Sequence, residues 1–146
     1  LDTHGLAAYQ QQLDIRVVSE DRYSMMAACD AAVAASGTVL LELAILGVPC
    51  VATYRVSSLT YILGRMLIRG LRFFSLVNLI AEREIIPELL QAAVTPQRIA
   101  QELLPLLTPS PQNSAMREGF AEVCRHLGGP GASKRAAQVA LQLLPR

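Results

Sequence analysis

The chain has 146 residues, 52% of them hydrophobic, and sets 13 Lys and Arg against 12 Asp and Glu. A formal charge of +1 excludes a broad basic nucleic-acid-binding footprint, and high apolar content at near-zero charge excludes intrinsic disorder. Mean hydropathy is high at +0.35, yet apolar stretches such as 31–35 and 43–52 fall far short of the roughly 18–20 residues of a membrane span. The start, Leu1-Asp2-Thr3-His4, has no initiator Met and no basic segment before an apolar signal core. It reads as a fragment or truncated product rather than a secreted precursor. The cysteines Cys29, Cys50 and Cys124 are widely spaced, odd in number and without a CxxC pair. They read as reduced thiols of a cytosolic core.

In chain order, Asp14-Ile-Arg-Val-Val-Ser19 is a β-branched run closed by polar residues, which predicts a strand. Ser19-Glu20-Asp21 supplies N-cap chemistry for a helix to about residue 28. The small apolar run 31–35 sits between Asp30 and Ser36-Gly37, a setting that favours a buried parallel strand. A helix over 38–46 ends at Gly47, and 49–54 is a further strand. Residues 57–69 predict a helix, 73–79 a strand-like segment and 85–91 a short helical turn around Pro87. Thr95-Pro96 is a helix start with Pro at its first position, and the helix runs to about 107 with a kink at Pro105. Helices over 113–127 and 134–144 follow, separated by Gly128-Gly129. Strands alternating with helices, without strict polar alternation in the strands, predict one α/β domain built on an open parallel sheet flanked by helices.

Ligands of such sheets sit at the carboxyl ends of the strands. Ser36-Gly37-Thr38 joins a predicted strand directly to a helix there. Gly37 lets a ligand approach the backbone, and the first helical amides are free donors suited to a phosphate. The competing reading is an ordinary turn with a Ser or Thr cap. Glu42 lies one turn into that helix among Val39, Leu40, Leu41, Leu43 and Ala44, and a lone carboxylate there is costly to bury without a partner. Placed so, it can take the two hydroxyls of a ribose whose diphosphate lies on the helix start. Arg55, at the next strand end, suits either a phosphate clamp or plain surface exposure. Arg65, Arg69 and Arg72 share one face of a helix with no acid between Arg55 and Glu82. That is a basic amphipathic pattern fitting an anionic membrane surface, or a solvated stripe on a packed helix. His4 and His126 are isolated from acids at ligand spacing, so no metal site is expected.

Together these landmarks resemble the lipid-A-disaccharide synthase family of two-domain GT-B glycosyltransferases. The matching residues are Ala34-Ala-Ser-Gly-Thr38 with Glu42, Gly47-Val-Pro49, and Tyr54-Arg55 with Thr60. They continue as Ser75-Leu-Val-Asn78-Leu-Ile-Ala81, Pro87-Glu-Leu-Leu-Gln91 and Thr95-Pro-Gln. Val77 stands where the family usually has Pro. The resemblance implies a Rossmann-like donor-binding domain, here residues 1–146, incomplete at its amino end. The family's Pro-Gly-Ser-Arg loop and its amino-terminal acceptor domain, with the presumed catalytic carboxylate, are absent from it. It implies transfer of 2,3-diacylglucosamine from its UDP donor to 2,3-diacylglucosamine 1-phosphate, with this part alone inactive. It places Ser36, Gly37 and Thr38 at the diphosphate, Glu42 on the ribose, and Arg55, Asn78, Glu88 and Gln91 near the donor sugar or diphosphate. No cofactor or metal beyond the UDP-sugar is expected, no nucleic-acid partner, and a cytoplasmic, membrane-peripheral location with homo-oligomerisation as an open option. Two alternatives stand beside it: a nucleotide-independent membrane- or partner-binding module, and another GT-B sugar-nucleotide enzyme such as a UDP-N-acetylglucosamine epimerase.

Overall fold

A computed structural model of the chain describes residues 7–10, 12–57 and 72–143. Its centre is a parallel sheet of three strands in the order β1 (Ala32–Ala35), β2 (Cys50–Tyr54), β3 (Glu88–Leu90). Ala32 stands opposite Cys50 and Ala35 opposite Thr53, while Ala52 stands opposite Glu88 and Tyr54 opposite Leu90. Parallel neighbours need crossover connections. Between β1 and β2 the crossover is α3 (Thr38–Leu46), which Gly47 ends in the left-handed region (φ 70°), its N–H reaching the carbonyls of Leu43 and Ala44.

The central strand explains the apolar excess of the composition. Cys50, Val51 and Ala52 of β2 are buried, as a strand covered on both faces must be. Leu40, Leu43 and Ala44 of α3 join them in the core. So do Val77 of α4 (Leu76–Ala81), Leu89 of β3, and Met116, Phe120 and Val123 of α6 (Pro111–Leu127). Each large side chain so buried stabilises the fold by roughly 1.5–3 kcal/mol before entropy is counted. Helices α3, α4 and α6 pack on one another, and α5 (Pro96–Leu103) meets β1 and β2. Gly119 of α6 is where a loop comes close: a Cβ there would lie 2.5 Å from Cδ1 of Ile85.

Cap chemistry sets most helix starts. Thr95 accepts the Arg98 N–H at 3.2 Å ahead of Pro96, and Ser110 accepts the Asn113 N–H at 3.0 Å ahead of Pro111. Around Pro105 the chain tightens into a 3-10 turn, Leu104–Leu106. Near the amino end lie α1 (Ala7–Gln10) and α2 (Arg22–Ala27), and near the carboxyl end α7 (Ala132–Gln142), with no buried residue.

Three expectations are corrected. Residues 14–19 form no strand: they join no ladder among the described residues, and Val17 and Val18 are exposed. β-branched side chains suit a pleated surface but cannot make a strand without a neighbour. Residues 73–79 are not a strand, because Ser75 accepts the Asn78 N–H at 3.1 Å and starts α4. The turn expected at 85–91 contains β3 instead. The carbonyl of Pro87 accepts the Ala52 N–H at 2.9 Å, so Pro87 precedes the strand, where its missing N–H does no harm. The helix expected over 57–69 lies, apart from Ser57, outside the described residues.

All three cysteines are free thiols. Cys50 is fully buried with its N–H on the Met116 sulfur at 3.3 Å, and burial pushes its thiol from 9.0 up to about 12. At pH 8 a disulfide reagent is therefore expected to label Cys50 only upon unfolding. Labelling of native protein at the rate of a free thiol would contradict this packing. The folded thiol holds its proton longer than the unfolded one. Stability is thus unaffected below the free-thiol range and falls as pH rises through it towards 12.

Candidate functional site

In a parallel α/β layer the helices run back against the strands, so helix starts and strand ends share one edge of the sheet. Ser36 leaves β1 at this edge. Its N–H donates to the Thr53 carbonyl at 2.9 Å and its hydroxyl to the Phe74 carbonyl at 3.3 Å. The hydroxyl is therefore turned away from α3, and no side chain caps that helix. Gly37 holds the N-cap position with extended backbone (φ 161°), and a Cβ built on it meets nothing within 4 Å among the described residues. Glycine here supplies space rather than an unusual dihedral. The ordinary capped turn is not what forms: the first amides of α3 have no side-chain acceptor among the described residues.

Glu42 follows one turn on, its side chain 24% exposed, and it has a partner across the sheet edge. Its Oε1 lies 3.4 Å from Nη2 of Arg22. Asp21 puts that arginine there. In the left-handed region (φ 50°) that Asp tolerates, it accepts the Ser24 N–H and starts α2 at Arg22. Nη2 of Arg22 also donates to the Tyr23 hydroxyl at 2.8 Å, and the guanidinium carbon lies 4.7 Å from the Tyr23 ring centroid. The Tyr23 hydroxyl and then Glu42 raise the guanidinium above its ordinary value. Arg22 was not singled out from the sequence: 20 residues separate it from Glu42, and only the sheet edge joins them.

The far wall is built by two sequence motifs that lock together. Asn78 is fully buried with all its hydrogen-bonding capacity used. Its Oδ1 accepts the Ile85 and Ile86 N–H groups at 2.7 and 3.0 Å; its Nδ2 donates to the Ile86 carbonyl and to Glu88 Oε1, both at 2.9 Å. The Glu88 carboxylate also accepts the N–H groups of Phe74 and Ser75 at 2.8 and 2.9 Å. Gln91, at φ 49°, accepts the Val56 N–H at 2.9 Å and donates to the Val56 carbonyl at 3.0 Å. Phe74 stacks on Tyr54, with centroids 6.1 Å apart. The polar atoms of Asn78, Glu88 and Gln91 are thus turned to the protein itself. Arg55 is exposed, with no hydrogen bond or ion pair among the described residues. Arg72 is exposed with its guanidinium 5.7 Å from the Phe73 ring centroid, and Arg65 and Arg69 lie outside the described residues.

A cavity of about 180 Å³ lies beside this wall, bordered by Arg72, Phe74, Glu84, Glu88 and Leu90. A larger one, about 450 Å³, opens at the amino end of β3 between Arg83, Pro87, Glu102, Pro105 and Met116. Arg83 there is paired with Glu122 and Glu102 with Arg98, and the remaining charged group, Glu84, is a carboxylate that repels an anionic ligand. Chemistry therefore favours the carboxyl edge over the larger volume. Among the described residues no three His, Cys, Asp or Glu side chains gather as metal ligands.

An open parallel sheet with an uncapped helix start and a carboxylate at its carboxyl edge defines a Rossmann-like α/β domain. A family model described as lipid-A-disaccharide synthetase matches residues 3–143, and the chain belongs to that family. It is 42% identical over 132 residues to the lipid-A-disaccharide synthase of Syntrophus aciditrophicus, covering 90% of this chain and 34% of the relative. It is 46% identical over 121 residues to that of Myxococcus xanthus, covering 83% and 31%. With the Solibacter usitatus protein of the same name it shares 39% identity over 146 residues, 97% of this chain and 38% of the relative. The chain spans about a third of the length of the curated relatives it matches.

Proposed function

We propose that this chain is the donor-nucleotide part of a glycosyltransferase. It holds UDP-2,3-diacylglucosamine while the sugar passes to 2,3-diacylglucosamine 1-phosphate, forming lipid A disaccharide and UDP. The observation that carries this reading is the open start of α3 beside Glu42. Backbone N–H groups at a helix start bind a diphosphate without a metal, and the positive end of the helix dipole favours the charge that grows on departing UDP. Glu42 then receives the ribose hydroxyls, and Arg55 reaches the phosphates from the end of β2. Asn78, Glu88 and Gln91 serve this site by holding its far wall. The acceptor side and the group that activates the attacking hydroxyl belong to a part of the protein outside this chain.

Both substrates carry acyl chains, so the enzyme works at a membrane face. No described helix is long and apolar enough to cross a bilayer. The Arg65, Arg69 and Arg72 stretch is our candidate for peripheral contact with the anionic cytoplasmic leaflet. Titration of the chain with UDP, followed by amide NMR, tests the donor reading. Shifts at Gly37, Thr38 and Val39 are expected at millimolar UDP, with uridine much weaker. No shift at α3 with millimolar UDP would count against a donor site in this chain.

A further inference from the structure

We propose that Arg22 is a positioning residue for nucleotide recognition, one that orients Glu42 so that its free oxygen meets the ribose. The proposal rests on the donor reading above and adds a residue from a different element. The ion pair is one-sided. Arg22 reaches only Oε1 of Glu42, at 3.4 Å, and Oε2 has no hydrogen bond among the described residues. A carboxylate pinned at one oxygen and open at the other presents a fixed acceptor to a diol. Arg22 is itself held before any ligand arrives: Asp21 sets it at the first position of α2, and Tyr23 fixes its guanidinium by a hydrogen bond and by its ring.

Stability does not explain the arrangement, because the Arg22 side chain is 63% exposed and exposed ion pairs add little to folding. The pair lies one helical turn from the open amides of α3, at the same sheet edge. Binding a nucleoside diphosphate therefore does not require Glu42 to leave Arg22. Oε1 keeps its cation, Oε2 takes the ribose, and the amides take the phosphates.

The test measures binding of UDP and of 2′-deoxy-UDP to the full chain and its variants. Arg22→Gln is expected to weaken UDP binding about five-fold or more, the scale of a misplaced charge-assisted hydrogen bond. Binding of 2′-deoxy-UDP is expected to change by less than about two-fold, because one ribose donor is already gone. Arg22→Lys, which keeps the charge, is expected to retain most of the affinity. In a Glu42→Gln background, Arg22→Gln is expected to have no further effect. Thermal unfolding of each variant is expected to superpose on the parent. Equal losses for UDP and 2′-deoxy-UDP would overturn the proposal, since Arg22 would then act on the phosphates or the fold. So would the absence of any loss. Should Arg22→Gln not fold, Arg22→Met, which keeps the apolar stem and drops the charge, decides: a loss restricted to UDP supports the proposal, and an equal loss or none overturns it. If the parent chain binds no UDP, the donor reading itself falls, an outcome separable from the others because no variant is needed to see it.

Discussion

Replacing Asn78 by leucine is expected to destabilise the fold by about 3–5 kcal/mol, read as a shift of the urea midpoint at constant slope. Leucine is similar in size, so the loss is not one of volume. Four bonds go at once, leaving the Ile85 and Ile86 N–H groups, the Ile86 carbonyl and Glu88 Oε1 without that partner. Each buried group so orphaned costs roughly 1–3 kcal/mol, partly offset where the loop relaxes to water. Against a total stability of about 5–15 kcal/mol this is a large fraction. Asn78→Asp separates the contributions. It keeps acceptors for the two isoleucine amides but loses both donors and sets a carboxylate against Glu88. Its cost is expected to be smaller at pH 4, where one carboxyl can hold a proton, than at pH 8. A loss below about 1 kcal/mol for Asn78→Leu would mean that the loop is held elsewhere.

Gly37→Val is the converse case, a lesion of binding without a lesion of fold. Valine tolerates the extended backbone at this position, and its Cβ meets nothing within 4 Å among the described residues, so the melting temperature is expected to hold within about 2 °C. The side chain would nevertheless stand over the first amides of α3, where a diphosphate must approach to hydrogen-bond distance. UDP affinity is expected to fall at least about ten-fold, measured by calorimetry or NMR titration. Unchanged affinity in a folded variant would move the diphosphate away from α3.

The parts of the fold legible in the sequence were those with local causes. Thr95-Pro96 carries its own cap, Gly47 its own stop, and the run ending at Ser36-Gly37 its own strand end. Segments whose state depends on distant partners were misread. Residues 14–19 have the composition of a strand and no ladder, whereas Glu88–Leu90 is a strand because β2 lies beside it. The site divides in the same way. The open start of α3 and the need of Glu42 for a partner could be argued from spacing. The identity of that partner could not, since Arg22 is 20 residues away. The Asn78 and Pro87–Gln91 motifs carried the family resemblance, but only the folded chain brings Asn78 and Glu88 within 2.9 Å.

The bonds of Gln91 to Val56, and of Glu88 to Phe74 and Ser75, have a consequence for tolerance to change. The chain is fastened where it departs from β2 and again where it returns ahead of α4, both times by side chains from β3 and its following turn. Whatever lies between the two fastenings starts and finishes at fixed points. β3 and the turn after it thus act as a clasp on two segments remote in sequence, so a change at Glu88 or Gln91 reaches the sheet edge through backbone it does not adjoin.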